Sequence, residues 1–195
     1  MTTIGLLGGS FNPIHTGHMI VASYVAQFGP VDEVWFVLSP RNPLKDPALL
    51  APDADRLEML RIAVESNTSL PLKVSDIELS LPRPSYTIDT LRTLSDMYPE
   101  HRFVWITGSD TLPQLHRWKN WEEITGDYGM IVYPRPGFPV KEPLPEGVRI
   151  VDAPQVEISS TFIREAIASG KNMTYFLPQG VENFILARGI YKSKR

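Results

Sequence analysis

Short apolar runs alternate along this chain with longer stretches in which apolar residues return every three or four positions. The runs at residues 4–7, 31–38, 102–107 and 128–133 read as buried strands, and residues 148–151 as a short further one. Residues 72–79 alternate apolar with polar, which predicts one more strand between the second and third of these. Helical spacing fills the intervals. Residues 18–28 form a first helix, and a second, capped by Asp53 or Asp55, puts Leu57, Leu60 and Val64 on one face. Ser85 caps a third, with Ile88, Leu91 and Leu94 as its inner stripe. Residues 108–110 are a turn and helix start, residues 158–164 open another helix, and residues 181–187 give the last. Gly29-Pro30 ends the first helix, and the proline-punctuated stretches at 39–47 and 134–147 are loops.

Strands alternating with helices predict an α/β fold: one Rossmann-like, doubly wound parallel sheet with helices on both faces. Ligands of such sheets sit beyond the carboxyl ends of the strands, near the switch in strand order. The polar motifs fall at those ends. His15 and His18 follow the first strand, Arg41 and Lys45 the second, Asp110 the fourth, Arg135 the fifth, and Ser159 to Arg164 the sixth. One crevice is therefore expected to gather them.

Composition narrows the partners. A net charge of −3 argues against a general nucleic-acid binder, which carries a basic excess or stripe. With no cysteine there is no disulfide framework, zinc-thiolate site or thiol nucleophile. No apolar run reaches the roughly 20 residues that span a bilayer, and the chain enters a strand at once without a basic, apolar leader. A cytoplasmic protein with no membrane partner is the expectation.

The stretch Gly8-Gly9-Ser10-Phe11-Asn12-Pro13-Ile14-His15-Thr16-Gly17-His18 joins the first strand to the first helix. A strand, a glycine-bearing turn and a helix start point backbone N–H groups at an anion, and glycine lets the backbone approach it. The two imidazoles stand at the same corner. A histidine near a helix start also serves as a cap, and a metal site is the minor alternative, since no third histidine, cysteine or carboxylate run accompanies the pair. Neither the GxxxxGK[ST] nor the GxGxxG pattern is present, so a nucleotide is held differently here. Ser159, Ser160 and Thr161 are either a plain helix cap or a second anion cradle, with Arg164 offering a fork of hydrogen bonds to a phosphate. Two helix starts, two imidazoles, Lys45 and Arg164 suit a polyphosphate, hence chemistry at phosphorus.

GGSFNPIHTGH at residues 8–18 and ISSTFIR at 158–164 resemble the two signatures of the nucleotidyltransferase superfamily, the first being (H/T)xGH. NPLK at 42–45, PSYTIDTL at 84–91, GSDTL at 108–112 with Arg117-Trp118 behind it, and RPG at 135–137 resemble the bacterial-type nicotinate-nucleotide adenylyltransferases. The likeness covers nearly the whole chain in motif order, with Thr-Gly-Ser-Asp at 107–110 where that family often has Leu-Gly-Ala-Asp. It implies one nucleotidyltransferase domain over residues 1–195, helical from about 158. It also implies transfer of AMP from ATP to nicotinate mononucleotide, giving nicotinate adenine dinucleotide and pyrophosphate.

The resemblance makes His15, His18, Lys45 and Arg164 the catalytic set. ATP would meet Gly8, Gly9, Ser10, Phe11, Gly108, Asp110, Ser159, Ser160 and Thr161 besides both histidines and Arg164. The mononucleotide would meet Lys45, Tyr86, Thr87, Asp110, Trp118 and Arg135. Trp118 offers a flat face to a pyridine ring but also suits a core, Tyr86 suits packing, and Arg135 suits a solvated loop. Mg²⁺ would enter with ATP, held by phosphate and water more than by protein ligands. Pantetheine-phosphate adenylyltransferase and a nucleotide sensor without turnover are the rival readings. His15 and the middle motifs count against the first. A homo-oligomer is compatible with the sequence, which does not itself decide assembly.

Overall fold

Alternation along β2 (Glu33–Leu38) sorts the core into two layers. Val34, Phe36 and Leu38 enter one cluster, Trp35 and Val37 the other. The computed structural model describes residues 1–40 and 50–192. Its sheet adds β1 (Thr2–Gly9), β3 (Leu72–Ser75), β4 (His101–Gly108), β5 (Met130–Tyr133) and β6 (Val148–Ile150). All neighbours are parallel, in the order β3-β2-β1-β4-β5-β6. The direction of winding reverses between β1 and β4, so the crevice belongs at their carboxyl ends.

The first layer is covered by α1 (Thr16–Phe28), α2 (Asp53–Glu65), α6 (Ser160–Ala168) and α7 (Val181–Arg188). They contribute Val21, Val25, Met59, Leu60, Ile163 and Val181. The second is covered by α4 (Thr87–Met97), whose stripe Ile88, Leu91 and Leu94 is at most 1% exposed, as its spacing predicts. Each such side chain contributes about 1.5–3 kcal/mol by leaving water. A helix with 3-10 geometry (Ser109–Arg117) and the short α5 (Trp121–Glu123) complete that face.

Three local expectations give way to tertiary contacts. The alternating stretch at 72–79 is strand only to Ser75, and residues Ile77–Ser80 form a one-turn helix, α3. That turn tucks the Glu78 carboxylate under α4, where it accepts from Thr90 Oγ1 (2.9 Å) and Ser85 Oγ (3.3 Å). Ser85 is thus engaged elsewhere, and Tyr86 occupies the cap position of α4. Neither Asp53 nor Asp55 caps α2, which starts after Pro52. Asp55 pairs with Arg188 of α7 at 2.9 Å, and Asp53 pairs with Arg56 at 2.7 Å. The buried stripe of α2 is Arg56, Met59, Leu60 and Ala63, with Leu57 and Val64 only partly covered.

Candidate active site

Gly8 and Gly9 remain in β1, so the turn lies beyond them. A Cβ on Gly8 would overlap the Trp105 ring of β4; packing, not a turn, demands glycine there. Phe11 takes a left-handed backbone, at φ 41°, just before the turn at Asn12 and Pro13, with its ring buried edge-on to Phe36 and 5.1 Å from the His18 ring. His15 occupies the cap position of α1 and His18 its first turn. Their rings stack with centroids 3.7 Å apart, and the His15 N–H donates to His18 Nδ1 at 3.2 Å. Accepting at Nδ1 leaves the proton of neutral His18 on Nε2.

Both imidazoles are uncharged at neutral pH. Burial, then the Arg135 guanidinium, lowers the pKa of His15 to about 4. Burial, then the stacked His15 and Arg135, holds His18 well below its ordinary value. The pair therefore offers neutral hydrogen-bonding groups, a protonation state that the sequence alone does not decide. His15 Nδ1 is buried without a hydrogen-bond partner, in a side chain only 6% exposed.

Acid should loosen the fold through His15. Between pH 6.5 and about 4 the unfolded imidazole binds a proton that the folded one refuses, so stability falls as pH drops through that window. The contribution reaches about 3 kcal/mol at its acid end. Urea unfolding of wild type and His15→Gln across this range should show a flatter dependence in the variant. Superimposable profiles would return His15 to an ordinary pKa.

Around this corner lies a cavity of about 790 Å³. Its walls include Gly8, Gly9, Ser10, Phe11, His15 and His18 from the β1–α1 connection and Gly108 and Asp110 from the end of β4. Arg135, Ser159 and Ser160 close it from the far side. Arg135 faces Asp110 at 3.4 Å, and its backbone N–H is anchored on Ser109 Oγ (2.9 Å). A smaller groove of about 470 Å³ along the outer side of α1 has no charged residue in its lining, so the larger cavity is the one suited to phosphates.

The second motif is fastened to the first. Ser160 Oγ donates to the Pro13 carbonyl (2.9 Å) and Arg164 Nη1 to the Asn12 carbonyl (2.8 Å), while Ser159 Oγ caps α6 by accepting from the Phe162 N–H (3.1 Å). Arg164 also reaches Thr161 Oγ1 at 3.2 Å, and neither residue lines the cavity. Tyr86, Thr87 and Trp118 stand apart from it too. Lys119 stacks over the Tyr86 ring at 4.8 Å and pairs with Asp89 at 2.9 Å, joining the start of α4 to the Trp118 segment, and Trp118 packs partly on the second core layer. Lys45 lies outside the described residues.

Arg56 escapes a sequence reading. It is wholly buried on α2, giving hydrogen bonds to the carbonyls of Ser10, Ser39 (2.9 Å) and Ala51 (3.2 Å) and to Asp53 (2.7 Å). The one available signal is an arginine among Met59, Leu60 and Ala63 on an apolar stripe. Among the described residues no group of three His, Cys, Asp or Glu is placed to hold a metal. No helix among them is long and apolar enough to cross a membrane.

Residues 6–166 match the model of the cytidylyltransferase-like family. Proteins named "Probable nicotinate-nucleotide adenylyltransferase" resemble the chain almost end to end. That of Bacteroides fragilis is 48% identical over 186 residues, 95% of this chain and 92% of its own. That of Cytophaga hutchinsonii is 45% identical over 193 residues, 97% of this chain and 98% of its own. The chain belongs to the nicotinate-nucleotide adenylyltransferase family. Its fold also matches the Plasmodium falciparum nicotinic acid mononucleotide adenylyltransferase complexed with NaAD. The TM-score is 0.81 over 98% of both chains, at 20% identity. Nucleotidyltransferases of this family generally use a divalent metal with ATP.

Proposed function

We propose that this chain transfers AMP from ATP to nicotinate mononucleotide, releasing pyrophosphate and forming nicotinate adenine dinucleotide on the way to NAD. One observation carries the site assignment: a buried, unpartnered imidazole nitrogen at the cap of α1, in the wall of a cavity at the sheet's switch point. Such a nitrogen calls for a polar ligand, because a buried polar group without a partner costs about 1–3 kcal/mol. An oxygen-rich polyphosphate at a helix N-terminus supplies it.

The mononucleotide phosphate is ionised at neutral pH and needs no general base. One of its oxygens attacks the α-phosphorus of ATP; a P–O bond forms there as the bond to the α–β bridging oxygen breaks. Pyrophosphate departs with that electron pair, and its growing charge is met by His15, His18 and the backbone N–H groups of Gly17 in α1 and Ser160 in α6, which line the cavity. Neutral donors fit this task, since they lower charge without a proton transfer. Arg164 and the hydroxyls of Ser159, Ser160 and Thr161 support the cradle, and Lys45 adds a cation. Gly8, Gly9, Ser10 and Phe11 form its floor, while Gly108, Asp110 and Arg135 take the ribose side. Mg²⁺ brought by ATP fits phosphate and water ligation, as the cavity's two carboxylates, Asp110 and Glu157, come from separate parts of the chain and Asp110 already faces Arg135. Residues 1–195 act as one domain, in the cytoplasm, as a monomer or a homo-oligomer.

The mononucleotide belongs beside α4. Thr87 heads that helix and presents an unpaired N–H to a carboxylate, with Tyr86 beside it and Trp118 offering its face to the pyridine. Nicotinate mononucleotide should then be preferred to its amide, whose NH₂ would face donors with donors. Pyrophosphate release measured with each mononucleotide and with phosphopantetheine decides the reading. Equal efficiency with acid and amide would exclude the carboxylate pocket, and turnover only with phosphopantetheine would exclude the function. Trp118→Ala should raise the mononucleotide KM and leave the ATP KM unchanged. An unaltered mononucleotide KM would leave that tryptophan to the core.

A further inference from the structure

Asn12 sits in the first motif, yet neither phosphate chemistry nor helix formation accounts for it. The structure makes it a junction, buried to 5% exposure. Its side-chain oxygen accepts from the Ala51 N–H (3.0 Å) and from the Tyr191 hydroxyl (2.7 Å), while its backbone carbonyl takes Arg164. Three donors from distant parts of the chain thus fix one residue between Phe11, whose φ is positive, and His15. Tyr191 follows the last helix and lines no part of the cavity, and among the described residues its hydroxyl reaches the first motif through its hydrogen bond to Asn12.

We infer that Tyr191 is a positioning residue for ATP, its hydroxyl locking Asn12 and through it the loop that carries Phe11 and leads into the two histidines at the start of α1. The inference rests on the proposal that this loop receives the ATP phosphates. Burial pushes the Tyr191 hydroxyl well above its ordinary pKa, so it stays a donor across the working pH range. Its ring packs against the first core layer, whereas its oxygen spends its bond on Asn12. Packing and positioning are therefore separable by removing one atom.

Tyr191→Phe keeps the ring and deletes the donor. Titration calorimetry with ATP alone should show an affinity about fivefold weaker, the effect of one hydrogen bond. The mononucleotide KM should not change, and the thermal melt should remain a single cooperative transition. A purely structural tyrosine would lower the melting temperature without this split. Binding is reciprocal, so ATP should also slow hydrogen exchange in the wild-type peptide containing Tyr191. That readout stands even if the variant folds poorly. Unchanged ATP affinity in folded Tyr191→Phe, equal weakening toward both substrates, or exchange indifferent to ATP would each overturn the inference. Wild type that fails to bind ATP would instead overturn the reading beneath it.

Discussion

His18→Ala is expected to lower kcat about 10²–10³-fold, the usual effect of deleting one donor aimed at developing charge. The fold should survive. His18 is half-buried in the first turn of α1, alanine is a good helix former there, and losing the ring contacts with His15 and Phe11 and the acceptor for the His15 backbone N–H costs about 1–3 kcal/mol. KM for ATP should move little, because the donor matters most once charge builds on the departing pyrophosphate. Steady-state pyrophosphate release together with a thermal melt checks both halves. A well-folded variant with near-native turnover removes His18 from the chemistry.

Arg56→Leu is expected to be the most destabilising single change. Its guanidinium satisfies the carbonyls of Ser10, Ser39 and Ala51 and faces Asp53, all from a fully buried position. Leucine fills much of the volume but leaves those acceptors without donors and the Asp53 charge without its partner. Losing one side of a buried charged network removes about 3–5 kcal/mol. In a chain of this size that lowers Tm by on the order of 10 °C. Arg56→Lys should fall between, since one ammonium cannot reach every acceptor the guanidinium serves. Calorimetric melts of the three proteins test the order. A leucine variant melting with wild type would mean that water replaces the guanidinium.

The sequence by itself determined what depends on local period and chain order. The buried strands and the stripe of α4 were legible because short apolar runs, and apolar residues spaced by three to four, have one good way to leave water, while the alternating stretch at 72–79 gave a strand only to Ser75. Parallel strands joined by helices then require a doubly wound sheet, with the polar motifs at its carboxyl edge. His15 and His18 were found because their spacing marks one helix start, and the family was legible in motifs that sit on those edges. Tertiary structure alone decided protonation and partnership. Sequence cannot tell a cationic histidine from a neutral one, since the shift comes from burial and from Arg135, 120 residues away from His15. Ser85, Asp53 and Asp55 looked like caps because capping is a local rule, but Glu78, Arg56 and Arg188 offered them better partners. Arg56 and Tyr191 were silent for the same reason. Their value lies in carbonyls and an amide oxygen that only the closed fold brings within hydrogen-bonding distance.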